Sequence, residues 1–251
     1  MSGVFAIIEQ TTIKEKMSTK KFQFWASNLD SKIGAESVKK FIPKLEPARL
    51  NVPEWYKKVS RYLDDNNKPK VYEGGGTNAG IKTCVPFLDA ITSGYVIKLH
   101  TDLIIEDGTI TWSHNVPPLS PRNHKISDQI PNIPGYSKFT SAWELFYSMK
   151  LPEGYSAIFT QPFNRFDLPF MSSTGIMDLD TGIGPGAVPF AVKDGFNGMI
   201  PAGTPIVQVI PFKREDWALS YSEEEIKINW NPRSHITGWY KKNLWKKKTY
   251  E

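Results

Sequence analysis

The chain has 251 residues, a net charge of +5, 40% hydrophobic and 13% aromatic residues, and one cysteine, Cys84. A single cysteine excludes an intrachain disulfide and a cysteine-rich zinc or iron–sulfur site, and no run approaches the ~20 apolar residues that a membrane span needs. Charge is concentrated at one end: residues 226–251 hold seven Lys or Arg against Glu251 alone, so this tail carries +6 and everything before it −1.

The opening "VFAIIEQ" is too short and wrongly flanked for a signal peptide, so a soluble chain in a reducing cytosol is expected. Residues 1–20 read as an N-terminal extension, and Met17 offers a second credible start. "KFQFW" (Lys21 to Trp25) alternates polar and aromatic residues as a strand does. Pro43, Pro47 and Pro53 then divide the chain, and Pro53 suits the first position of a helix over 53–63 with Trp55, Val59 and Leu63 on one face.

"EGGGTNAG" (Glu73 to Gly80) lacks both Gly-x-Gly-x-x-Gly spacing and a Gly-Lys-Ser ending, so it reads as a loop and not as a phosphate cradle. No cofactor is expected. "TCVPFLDAITSG" reads as a turn-forming unit, followed by a long strand over 95–105, a hairpin turn at "EDG" (Glu106 to Gly108) and a return strand over 109–113. Residues 114–140 form a proline-rich surface loop of the length that is functional or an interface arm. Two strands about the "PEG" turn follow, and residues 151–214 read as short strands joined by tight turns. Residues 215–235 suggest one or two solvent-facing strands, and "GWYKKNLWKKKTYE" a short basic amphipathic helix. No internal repeat is visible. The expected fold is mainly β, a sandwich or jelly roll. A single domain over 21–230 carries short N-terminal helices and ends in a basic aromatic tail, 231–251.

Several chemistries compete. His100-Thr-Asp102 has the His-x-Asp spacing of Fe(II)/2-oxoglutarate oxygenases; on a strand both side chains share a face, and His235 is the candidate distal ligand. Against it, His-x-Asp arises easily by chance, and two polar residues on the open face of a strand are the favoured reading. Cys84 reads as a small apolar filler before "VPFLD". Glu144, Asp167, Asp178 and Asp180 are carboxylates whose default in loops is turn capping. The tail residues Trp239, Tyr240, Lys241, Lys242, Trp245, Lys246, Lys247 and Lys248 interleave aromatics with cations. That pattern suits nucleic-acid contact, or docking on an acidic neighbouring subunit of a homo-oligomer or on a membrane surface, against a solvated terminal helix with no partner; the tryptophans favour a protein surface.

"GIMDLD" (Gly175 to Asp180), "VPFAV" and "IPAGTPIVQVI" (Ile200 to Ile210) together resemble the later motifs of the dUTPase and dCTP deaminase β-clip fold. The resemblance implies a β-clip-like sheet and a nucleotide site in which Asp178 matches the loop aspartate, Gln208 the strand glutamine and Arg165 the phosphate-binding arginine. The chain lacks the serines after that arginine, the tyrosine after the loop and the glycine-rich C-terminal clamp. "NVPEWYKKVSRYL", "IKTCVPFLDAITSGYVI" and "IPAGTPIVQVIPFKRE" are similar to an uncharacterised family carried by large tailed phages, especially marine and cyanobacterial ones. That resemblance implies a viral origin and a non-enzymatic structural or interaction role, accessory or in the virion. Its setting is a host bacterial cytoplasm, with other phage or host proteins as partners.

Overall fold

The computed structural model describes residues 19–27, 34–64, 68–182, 186–224 and 238–251. Most of the expected N-terminal extension, and His235, lie outside the described residues. The alternating aromatic segment forms β1 (Gln23–Ala26), followed by α1 (Ala35–Phe41) and the two-residue β2 (Glu46–Pro47). The helix expected over 53–63 is shorter: α2 covers Glu54–Lys58 and buries Tyr56, not the Trp55–Val59–Leu63 face. Val59 closes the last turn on the Trp55 carbonyl, the chain extends, and Tyr62 bridges to Ala79, which leaves Leu63 exposed.

The expected turn unit at 83–94 is instead a helix, α3 (Val85–Thr92), with Pro86 in the first turn where its missing N–H removes no helical bond. Gly94 then reverses the chain at φ +69, and an added Cβ would stand 2.1 Å from the Val209 carbonyl oxygen, so only glycine fits. The strand expected over 95–105 is broken into β3 (Tyr95–Lys98) and β4 (Leu103–Glu106). The "EDG" hairpin is present: Asp107 and Gly108 both take positive φ and join β4 to β5 (Thr109–Thr111). Loop 114–140 contains β6 (Leu119–Pro121) and one helical turn, α4 (His124–Ser127).

Eight strands follow: β7 (Ser141–Glu144), β8 (Tyr147–Lys150), β9 (Tyr155–Thr160), β10 (Phe170–Ser172), β11 (Gly175–Asp178), β12 (Ala187–Val192), β13 (Gly198–Ile200) and β14 (Pro205–Lys213). Helix α5 (Trp239–Asn243) lies in the tail. The "PEG" turn does not close a hairpin, because β8 pairs with β1 whereas β9 pairs with β14 and β11. The described part of the segment expected as one or two strands, 215–224, forms none.

The architecture is mainly β and sandwich-like, and every strand pairing among the described residues is antiparallel. A five-stranded sheet, β11-β9-β14-β3-β2, faces a four-stranded sheet, β10-β12-β7-β6, with smaller sheets β13-β4-β5 and β1-β8 at the sides. One connected core joins Ile97, Phe159 and Val209 of the first to Trp143, Phe170 and Phe190 of the second. Trp143 stacks on Phe190 with ring centres 3.6 Å apart. Its indole N–H donates to Ser172 Oγ at 2.9 Å, and the Ser172 hydroxyl donates across the core to the Ile206 carbonyl at 2.7 Å.

The break between β3 and β4 is a corner at which the chain changes sheets. The run β13 to β14 turns the same corner beside it. Leu99 N–H donates to the Thr204 carbonyl at 2.9 Å, and Gly203 N–H to the Leu99 carbonyl at 2.7 Å. The other face of the five-stranded sheet carries Val96 and Gln208 beneath α3 and the helical turn Ala48–Asn51. Farther along, that face opens: Ile210, Ile158 and Ile176 lie side by side on β14, β9 and β11, and exposure rises to 65% at Ile176 on the edge.

Candidate functional site

The oxygenase-type ligands are placed by the corner, not by a strand face. Asp102 Oδ1 accepts the Ala202 N–H at 2.7 Å. His100 Nε2 lies 2.9 Å from the Val116 carbonyl oxygen, an acceptor, which makes Nε2 the protonated nitrogen. The ring stands edge-on to His114 at 5.1 Å and to Phe146 at 5.2 Å. Burial lowers the His100 pKa, against the Val116 hydrogen bond, and favours the neutral ring. Among the described residues no three His, Cys, Asp or Glu side chains converge as a metal site. His100 and Asp102 do not share a strand face as the sequence pattern suggested, because the backbone bends between them.

Of the three residues matched to a nucleotide site, Asp178 stands apart from Arg165 and Gln208. Arg165 follows the Thr160 end of β9, and Asp178 pairs with Ser156 at the other end, about 13 Å along the strand at ~3.3 Å per residue. Arg165 forks onto Asp167 through two hydrogen bonds of 2.9 Å, and Trp55 Nε1–H donates to the same carboxylate at 3.2 Å. Burial works to raise the Asp167 pKa, yet the Arg165 fork outweighs it and the net direction is down. Gln208 is fully buried and spent on the backbone: Oε1 accepts Phe163 N–H at 2.8 Å, and Nε2 donates to Ala90 and Ser93 carbonyls at 2.9 and 2.6 Å. Asp178 accepts the Ser156 hydroxyl at 2.6 Å and faces Arg214 at 3.3 Å. Arg214 also grips Asp180, which takes the Gly154 N–H at 3.0 Å. The guanidinium holds Asp180 well below the carboxylate range, at about 2. Arg165 and Gln208 line one small cavity; Asp178 belongs to a separate ion-pair cluster that fastens the 152–154 turn.

The tail is partly committed at home. Trp245 Nε1–H donates to Asp89 of α3 at 2.7 Å, and Lys248 reaches the same oxygen at 2.5 Å. Tyr250 meets Tyr95 edge-on at 6.0 Å, and the Arg49 Nε–H points at the Tyr250 carbonyl at 3.4 Å. Lys242, Lys246 and Lys247 remain exposed. Trp239, Tyr240 and Lys241 form one wall of an open, mainly apolar groove of about 470 Å³, with Thr83, Cys84 and Pro86 opposite. A second groove of about 320 Å³ lies between the Asp107–Gly108 hairpin and the Lys193–Asn197 turn, with Lys138 of the 114–140 loop on its rim.

The most exposed apolar surface lies elsewhere. Trp217, Leu219 and Tyr221 are 87%, 103% and 90% exposed, ahead of every other large apolar side chain among the described residues. They alternate along an arm, 215–221, that forms no backbone hydrogen bond with any described residue. The sequence signal was the period of two in "DWALSY", which reads as a strand; it carries no information on whether a pairing edge is present. The arm leaves the sheet at Arg214, beside the Asp178 end of β11. No protein-family model and no curated protein matches the chain.

Proposed function

We propose that the protein is a non-enzymatic interaction protein. The phage resemblance suggests an accessory or virion role in a host bacterium. One observation supports this reading above the others: the three most exposed large apolar side chains of the described chain alternate along a single arm. Tyrosine and tryptophan hide about 150–250 Å² each when covered, and apolar burial contributes about 25 cal/mol per Å². Two rings and a leucine on one short segment therefore offer a partner several kcal/mol of gross contact, and Trp and Tyr are the residues that most often anchor interfaces.

The test places a photo-cross-linking amino acid at Leu219 and identifies the attached peptides by mass spectrometry, in the producing cells and in purified particles. Defined adducts to one polypeptide, or to the chain itself, are the expected result. Diffuse labelling, together with a monomeric protein absent from particles, overturns the reading.

A further inference from the structure

We infer that the arm of one copy adds as a strand to the free edge of β11 in a second copy, reciprocally, so that two chains exchange arms about a two-fold axis. The inference rests on the interaction reading of this arm and names its partner. Four observations carry it.

First, the arm has the pattern of an added strand. Trp217, Leu219 and Tyr221 fall on one face at a period of two, and an extended segment gains its missing backbone hydrogen bonds by joining an exposed sheet edge. Second, β11 offers such an edge. It is the terminal strand of the five-stranded sheet, with no other described strand beyond it.

Third, the two surfaces continue one another. Ile176 on β11 stands opposite Ile158 on β9, which stands opposite Ile210 on β14. This apolar row is uncovered at its outer end, where Ile176 is 65% exposed. A strand docked on β11 with its aromatic face on that side extends the row by one strand and covers Ile176.

Fourth, the placement and the area fit two copies. The arm springs from Arg214, whose guanidinium reaches the Asp178 carboxylate at 3.3 Å past β9, so donor root and acceptor edge lie two strand spacings, about 10 Å, apart. A two-fold axis beside that corner brings each arm root within an extended arm's reach of the partner's edge. One arm seated on a foreign protein hides about 500 Å² of its own side chains, short of the ~800 Å² per partner of a stable interface. In an exchange, each copy contributes both an arm and an edge, which brings its share into that range.

Sedimentation velocity on the full chain tests the inference. Wild type is expected to sediment at twice the 28.5 kDa chain mass. Leu219→Asp in the arm and Ile176→Asp on the edge are each expected to return it to a monomer that still unfolds cooperatively, with its melt lowered only by the lost association. Mixing the two variants restores part of the dimer, since one intact arm and one intact edge remain. In a Cys84→Ser background, Leu219→Cys with Ile176→Cys is expected to give a disulfide-linked dimer on a non-reducing gel. A monomer at every concentration, a dimer that survives both variants, or a 176–219 disulfide within one chain overturns the inference. Those results leave the photo-cross-linking readout intact: adducts from Leu219 to a different polypeptide then sink the self-exchange alone.

Discussion

Asp102 and Ala202 lie 100 positions apart in sequence, and the Asp102 carboxylate accepts the Ala202 backbone N–H at 2.7 Å. The bond closes the corner where β3 passes into β4 and β13 into β14. A residue that the sequence offers as a metal ligand thus serves as the clasp between two sheets. Asp102→Ala removes an exposed, charge-assisted hydrogen bond of about 1 kcal/mol, and Asp102→Asn, which keeps an acceptor oxygen, loses less. Urea denaturation of the three proteins measures both. Equal losses for the two variants would show that the carboxylate oxygen is not what fastens the corner.

His100, at the same corner, makes stability depend on pH. Burial depresses its folded pKa below the ordinary value of 6.5. The unfolded chain therefore takes up the proton first as pH falls, and the stabilising contribution, fully present above 6.5, is lost below it. Wild type is expected to lose stability between pH 6.5 and 5, and His100→Gln, which has no titrating ring, to lose less over the same interval. Denaturant midpoints at each pH provide the comparison, and parallel curves refute the assignment.

Acid exposes a second group. Asp180 titrates at about 2 in the folded chain against 3.8 for the ordinary group, because Arg214 and the Gly154 N–H hold the charged form. Its contribution is complete above 3.8 and disappears as pH drops toward 2. Asp180→Asn should flatten the stability profile in that window and leave the loss below pH 6.5 untouched, as read from acid-unfolding curves followed by tryptophan fluorescence.

Gln208 was legible as a distinctive residue at a strand centre, but not as what it is. Its amide fastens β14 to the end of α3 and to the loop at Phe163 through three hydrogen bonds at 1% exposure. Gln208→Leu keeps the bulk and strands one N–H and two carbonyls. The three backbone partners are only part-buried, so the expected loss in chemical denaturation is about 1–3 kcal/mol. A loss under 1 kcal/mol would mean that water or local movement satisfies those groups.

The contrast with the hairpin at Asp107–Gly108 shows where the sequence is informative. A two-residue turn of the mirror-image type needs positive φ at both central positions, and Asp-Gly tolerates it, so local chemistry names the turn. The run from Tyr95 to Ile105 is apolar at nearly every other position, and nothing within it marks the break at 99–102. That break is decided by Ala202, Gly203 and Thr204, which reach it only once the sheets form. The same holds for the candidate sites. Spacing flagged His100 and the β-clip resemblance flagged Arg165 and Asp178, whereas the partners Val116 and Arg214 come from a loop and a strand end far along the chain that no spacing rule connects. The tail helix was legible from its lysines and aromatics, but its anchor, Asp89 on α3, was not.

That anchor supports the last prediction. Trp245 and Lys248 share the Asp89 carboxylate, so Asp89 holds the 245–248 stretch to the body, while Tyr250 makes its own contacts with Tyr95 and Arg49. Both the ion pair and the indole bond are partly solvent-exposed, and such a pair is worth about 1 kcal/mol or less. Asp89→Ala should therefore leave the melt nearly unchanged while freeing the tail locally. Trypsin acts at lysine, so cleavage at 246–248 is expected to accelerate several-fold in the variant, and raised salt should accelerate it in wild type by weakening the Lys248 pair. The Trp245 indole bond persists in salt, so wild type in salt should remain slower than Asp89→Ala. Equal cleavage rates for wild type and variant at low salt would show that the tail is not held at Asp89.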